Sequence, residues 1–162
     1  MKSALLLSAS IILGLANTSL AQTPCPTAGC ELAETIFGSI EDNPDGNVDL
    51  GEFVAFGKTV FTSMDTDENA SISFAEYGEW DPGFEVLAEE AGREDEFETA
   101  KKILFAFWDR DGSKTISQQE FHQAMTVDFR RADIDQNAFL TRDEFLLGYI
   151  VNVAYRSALT GE

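Results

Sequence analysis

Residues 109–120 read DRDGSKTISQQE, and the reading of the fold starts from that stretch. Acids stand at its first, third and last positions (Asp109, Asp111, Glu120), and Ile116 stands at the eighth. The pattern occurs three more times: EDNPDGNVDLGE at 41–52, DTDENASISFAE at 65–76 and DIDQNAFLTRDE at 133–144. Each copy opens on an acid (Glu41, Asp65, Asp109, Asp133) and closes on Glu (Glu52, Glu76, Glu120, Glu144). Position 8 is always branched aliphatic: Val48, Ile72, Ile116, Leu140. The flanks repeat as well. Four residues before each copy stands a phenylalanine (Phe37, Phe61, Phe105, Phe129), and directly after it an aromatic (Phe53, Tyr77, Phe121, Phe145). Constraints outside the loops as well as inside them separate a structural repeat from chance runs of acids.

On these residues the chain resembles the EF-hand family, the helix–loop–helix calcium sites of calmodulin and its relatives. The resemblance implies an all-α fold: EF-hand repeats, four 12-residue calcium loops in two halves, with short β-bridges between paired loops. It implies Ca²⁺ as the cofactor, a hard cation that takes 6–8 oxygens at about 2.3–2.6 Å. Positions 1, 3 and 5 would turn side-chain oxygens inward: Glu41, Asn43 and Asp45; Asp65, Asp67 and Asn69; Asp109, Asp111 and Ser113; Asp133, Asp135 and Asn137. Position 7 supplies a backbone carbonyl, so its side chain is free to vary: Asn47, Ser71, Thr115, Phe139. Position 9 often acts through water: Asp49, Ser73, Ser117, Thr141. The closing Glu52, Glu76, Glu120 and Glu144 are long enough to reach back with both oxygens. Position 8 points away from the ion into the short strand. Crowded carboxylates repel one another, so a metal-free loop is expected to be strained or loose.

The copies depart from the family pattern in ways that grade them. Position 6 is normally Gly because the backbone turns sharply there. Only Gly46 conforms; the others are Ala70, Lys114 and Ala138. A side chain in a left-handed conformation costs about 1 kcal/mol, which weakens a site without removing its oxygens. The first loop opens on Glu41, one methylene longer than Asp, and Pro44 stiffens its fourth position. The order of fit is third and second, then fourth, then first.

The loop starts are spaced by 24, 44 and 24 residues. Only 53–64 (FVAFGKTVFTSM) and 121–132 (FHQAMTVDFRRA) separate the loops within each half, so each stretch serves one loop's exit and the next loop's entrance. One unbroken helix of about 16 residues would hold the two loops roughly 24 Å apart, whereas strand pairing requires about 5 Å. Either the helix breaks or pairing runs between other loops. The reading favours a break, near Gly57 in the first half. Beyond the second loop, WDPG at 80–83 marks a turn. Residues 84–91 predict a short helix ending at Gly92. Glu94 to Trp108 predicts a helix with an apolar stripe at Phe97, Ile103, Leu104, Phe107 and Trp108. A last helix is expected from Thr141 to Ala158, burying Phe145, Leu146, Tyr149, Ile150 and Val153.

Working outward to the N-terminus, Met1 and Lys2 precede an apolar run at 4–15, followed by Ser19-Leu20-Ala21. This reads as a secretory signal peptide over residues 1–21, cleaved before Gln22. The apolar run is shorter than the roughly 20 residues a bilayer span needs, and no later segment is long enough. The chain is therefore expected to be exported, periplasmic or extracellular, with no membrane span after signal removal. Cys25 and Cys30 are the only cysteines. In an oxidising space they predict a local disulfide; the alternatives are a metal or redox pair, whose usual CxxC spacing they lack, or a lipid anchor. The domain reading is 22–30 as a disulfide segment, 31–80 as the first two loops, 81–94 as an acidic linker and 95–162 as the last two.

Net charge is −18 and pI about 4.2. That excludes phosphate-rich nucleic acid as a natural partner and suits cation binding. No nucleophile elbow, phosphate loop or His/Cys zinc set occurs. His122 reads as a helix-surface residue, no catalytic residue is assigned, and an enzyme is not expected. The resulting expectation is a secreted calcium-binding protein and possible calcium sensor acting on an unidentified protein partner. The alternative is a calcium buffer, or a calcium-stabilised structural or adaptor module that binds its partner through an acidic surface. Calmodulin-type sensor grooves are Met-rich, and after residue 21 the chain holds only Met64 and Met125.

Overall fold

The computed structural model describes residues 25–40 and 45–161. The expected signal peptide at 1–21 and two of the expected ligands, Glu41 and Asn43, lie outside the described residues. The described chain is mostly helical, with two small antiparallel strand pairs. In order the elements are α1 (Ala28–Ile40), β1 (Val48–Asp49), α2 (Leu50–Met64), β2 (Ser71–Ser73), α3 (Phe74–Glu79), α4 (Phe84–Ala91), α5 (Glu94–Trp108), β3 (Thr115–Ser117), α6 (Gln118–Ala132), β4 (Phe139–Leu140), α7 (Arg142–Gly148) and α8 (Ile150–Thr160). Cys25 and Cys30 form the expected disulfide, tying the chain to the first turn of α1.

The expected break near Gly57 does not occur. Helix α2 runs unbroken for 15 residues, as does α6. Gly57 serves a helix crossing instead: a Cβ there would meet the Met125 side chain of α6 at 2.8 Å. With both helices straight, each loop pairs across the halves. β1 pairs with β4 (Val48 opposite Leu140), and β2 with β3 (Ile72 opposite Ile116). Loop 1 therefore meets loop 4, and loop 2 meets loop 3. Because α2 runs from the first pair to the second and α6 runs back, the helices are antiparallel struts between two loop pairs. The four position-8 residues are fully buried at these ladders.

The repeated aromatics segregate by the same pairing. Phe53 packs edge-on against Phe129, Phe145 and Tyr149, and Phe37 against Phe145, at the loop 1–loop 4 end. Phe61 packs on Phe121, and Tyr77 on Phe105 and Trp108, at the other end. All eight flanking rings are buried in one continuous core. This arrangement explains why each loop carries a ring on both sides: every helix that enters or leaves a loop must anchor in the core within a turn of it.

One element is shorter than periodicity suggests. The expected helix from Thr141 to Ala158 is divided at Tyr149, whose backbone is extended (φ −69°, ψ 120°). A straight helix would carry its C-terminal half past α6. Gly148 sits so close to α6 that a Cβ would lie 2.7 Å from the Ala132 Cα, and the chain turns there so that α8 packs on α5 and α1. Side chains bond the last carbonyls of α7: an Arg156 guanidinium nitrogen donates to Leu146 O (2.8 Å), and Asn152 Nδ2 donates to Phe145 O (3.0 Å), which also accepts from the Tyr149 N–H (3.3 Å). The division changes the helical phase, so Val153, expected inside, is exposed. Helix α3 is likewise short. The buried Lys101 of α5 donates to Gly78 O at 2.6 Å and pairs with Glu98 at 3.2 Å. Replacing Lys101 by Met removes that donor while keeping the stem. We expect a loss of about 1–3 kcal/mol in unfolding free energy by urea titration; an unchanged midpoint would mean the carbonyl finds water instead.

Helix α5 covers the predicted span. Phe97, Leu104 and Trp108 of its stripe are buried, but Ile103 and Phe107 are exposed. They stand on the outward face, where Phe107 receives the Arg131 guanidinium at 4.9 Å from its ring centre. Helix α4 also stops at Gly92 as predicted, and it packs inward through Phe84 and Ala88.

Candidate metal centre

Among the described residues, loops 2, 3 and 4 each gather carboxylates into one place. Asp65, Asp67 and Glu76 each offer an oxygen within 4.8 Å of the others, as do Asp109, Asp111 and Glu120, and Asp133, Asp135 and Glu144. These are positions 1, 3 and 12 each time. Among the described residues no lysine or arginine pairs with any of them.

One backbone scaffold holds all three groups. The position-1 aspartate accepts from the N–H groups of positions 5 and 6: Asp65 from Asn69 (3.0 Å) and Ala70 (2.9 Å), Asp109 from Ser113 and Lys114, Asp133 from Asn137 and Ala138. The position-3 aspartate accepts from the same position-5 N–H. The closing glutamate reaches back to the start of the loop, where Glu76 accepts from Thr66 N at 3.0 Å, Glu120 from Arg110 N at 3.0 Å and Glu144 from Ile134 N at 3.0 Å. Positive φ at position 6 makes this winding possible: Ala70 (64°), Lys114 (71°) and Ala138 (69°) adopt it without glycine, as Gly46 does with it (78°). Position 4 is also left-handed, at Glu68, Gly112 and Gln136.

Position 9 has a role that the sequence reading missed. Asp49, Ser73, Ser117 and Thr141 are the N-caps of α2, α3, α6 and α7. Each forms a reciprocal capping box with the glutamate three residues on. The cap side chain accepts the glutamate's backbone N–H, and the glutamate carboxylate accepts the cap's N–H. The signal was present as Ser, Thr or Asp followed three residues later by Glu. The closing glutamate therefore has one oxygen on the helix it begins and the other on the loop it closes.

These contacts lower the pKa values of Glu76, Glu120 and Glu144. The Ser73 N–H and hydroxyl, with the Asp67 N–H and Thr66 hydroxyl, pull the Glu76 carboxyl down to about 2. At Glu120 burial pushes upward, but the Ser117 hydroxyl and N–H and the Asp111 and Arg110 N–H groups outweigh it. At Glu144 burial is likewise outweighed by the Thr141 N–H and hydroxyl and by the Asp135 and Ile134 N–H groups. A carboxylate with a folded pKa below its unfolded value of about 4.3 stabilises the fold above that pH and stops doing so as pH falls through the folded pKa. The metal-free protein is therefore expected to keep its melting temperature from about pH 7 to 5 and lose it progressively between about pH 4.5 and 2. A melt indifferent to pH across that window would remove the capping role.

The remaining expected ligands are placed unevenly. Asn69 and Asn137 are exposed, and their backbone N–H groups donate to the aspartates of their triads. Ser113 Oγ lies 3.0 Å from Thr115 O and 3.2 Å from its hydroxyl. Ser71, Thr115 and Phe139 lie in strands β2, β3 and β4. Of the first loop, Asp45, Asn47 and Glu52 are described; Asp45 accepts from Asn47 N at 2.9 Å, and Glu52 from Asp49 N at 2.8 Å. His122 is exposed on α6, away from every triad. No protein-family model matches the sequence, and no curated protein matches it significantly.

Proposed function

We propose that the chain is an exported calcium-binding protein of the EF-hand type, with loops 2, 3 and 4 as its principal sites. One observation carries this reading: three like-charged triads, at the same loop positions and on the same scaffold, converge without a cation of the protein's own. An all-oxygen donor set suits a hard cation, Ca²⁺ or Mg²⁺, rather than a thiolate- or imidazole-seeking metal. A bound cation would supply the positive charge that each triad lacks. The residues that would hold it are Asp65, Asp67, Asn69, Ser71 and Glu76; Asp109, Asp111, Ser113, Thr115 and Glu120; and Asp133, Asp135, Asn137, Phe139 and Glu144. The backbone N–H groups on each triad hold it against its own repulsion. The leader and the disulfide support export. The acidic charge and the side chains at left-handed position 6 suit the lower-affinity extracellular range, Kd about 10⁻⁴–10⁻³ M.

The test is a calorimetric Ca²⁺ titration of the metal-stripped chain in millimolar Mg²⁺. Three sites with submillimolar to millimolar Kd are expected; absence of heat together with no competition against a chelator would sink the assignment. A structural or buffering role is favoured over a sensor by the burial of all eight loop-flanking rings and of Met64 and Met125. A sensor exposes apolar surface on binding calcium, so an apolar dye separates the two: brighter with Ca²⁺ for a sensor, unchanged or dimmer for a structural module.

A further inference from the structure

Between the two loop pairs the core contains a cavity of about 130 Å³. Its inner wall is apolar and buried, formed by Met64, Phe84, Trp108, Phe121 and Met125. Most of the polar groups that reach it are engaged elsewhere, the Tyr149 hydroxyl being the exception. The Tyr77 and Tyr155 hydroxyls bond to each other at 2.9 Å, Trp108 Nε1 donates to Asp128 at 3.2 Å, and Asn152 Nδ2 donates to Phe145 O. Ser39, at the rim, donates to Ile36 O at 2.7 Å. The tyrosine pair and Tyr149 together leave at most two hydroxyl hydrogens for an occupant. The rest of the lining is apolar, which favours an apolar occupant over water, a ligand that seeks two to four polar partners. Its outer side is less closed. Ser39 is exposed, and Ile36, Phe56, Val60 and Trp80 are half-buried, so a path from solvent runs between α1, α2 and the turn before α4.

The geometry points to a binding site for one small apolar molecule, an aromatic ring or a short alkyl chain with no more than two hydrogen-bond acceptors. An unfilled apolar void forfeits dispersion contacts on every wall, and an apolar cavity of roughly 150 Å³ is large enough to take up benzene. The position of the cavity gives occupancy a consequence. Met64 and Tyr77 stand immediately before and after loop 2, Trp108 and Phe121 immediately before and after loop 3, and all four line the cavity. An occupant therefore packs against the helices that enter and leave both loops. Any coupling to a metal there rests on the function proposed above; the binding site itself does not.

The test uses benzene as the probe and the chain in excess chelator, so a failed metal assignment cannot imitate a failed cavity. Both tryptophans, Trp80 and Trp108, and both Met64 and Met125 line the space. Methyl-labelled methionine and indole fluorescence therefore report directly. We expect a saturable shift of both methionine methyl signals and a rise in melting temperature with benzene. Acetamide, of similar size but polar, should move neither. Val60→Phe and Val151→Phe fill the cavity from α2 and α8, and each should weaken benzene binding at least tenfold; two variants are made in case one fails to fold. No saturable shift with benzene, an equal response to acetamide, or unweakened binding in a folded filled variant would overturn the proposal.

Discussion

Replacing Glu76, Glu120 and Glu144 together by Gln is expected to abolish the calcium-dependent rise in melting temperature while leaving the helices intact. The substitution separates the two jobs of the closing residue. Gln serves a capping box as Glu does, so the helices that start at Phe74, Gln118 and Arg142 keep their caps. It also removes one negative charge and the bidentate reach from each triad. A ligand that binds only the folded state at 100 times its Kd stabilises by about 2.7 kcal/mol per site, so three sites contribute roughly 8 kcal/mol. For a chain of this size that is on the order of 20 °C in melting temperature. In chelator near pH 7 the variant should melt somewhat below the parent, because the lowered carboxyl pKa values mean that the backbone N–H and hydroxyl groups stabilise the charged glutamates by more than their neighbours repel them. Thermal melts by circular dichroism, with and without Ca²⁺, read both arms. A calcium-dependent rise that survives in the triple variant would place the metal elsewhere.

Gly57→Pro is expected to cost 3 kcal/mol or more, and Gly57→Ala far less. In an unbroken α2, proline at residue 57 removes a helical N–H and drives its ring into the preceding turn. Because α2 is the strut between two loop pairs, a kink there also displaces the Val48–Leu140 and Ile72–Ile116 pairings relative to each other. Alanine keeps the helix and even favours it. Its Cβ meets only the flexible Met125 side chain, at 2.8 Å, and methionine can yield by changing rotamer. Denaturant unfolding of the two variants distinguishes a continuous strut from a chain that bends at Gly57, where proline would be tolerated.

Much of the site is legible in the sequence because its determinants are local. The triads, the left-handed sixth position and the burial of Val48, Ile72, Ile116 and Leu140 all follow within twelve residues of one another. The caps at Ser73, Ser117 and Thr141 were equally local and were passed over because the same residues also suit a water-mediated metal contact. The exposure of Ile103, Phe107 and Val153 was not legible, because a helical stripe says which residues share a face and not how wide the covering neighbour is.

Taken alone, the sequence determined the loop boundaries, the carboxylates that converge, the bounds of α5 and the disulfide at Cys25 and Cys30. Each depends on backbone geometry and side-chain reach over a few residues. Only the tertiary structure decided that loop 1 pairs with loop 4 and loop 2 with loop 3, that α2 and α6 stay straight, that the last helix divides at Tyr149, and that a cavity is left between the loop pairs. Those outcomes depend on distance across the molecule. A 15-residue helix keeps its own two loops roughly 22 Å apart, so each loop must find its strand partner on the other strut; the packing of Gly57 on Met125 sets how closely the struts approach, and that of Gly148 on Ala132 how closely α7 approaches α6.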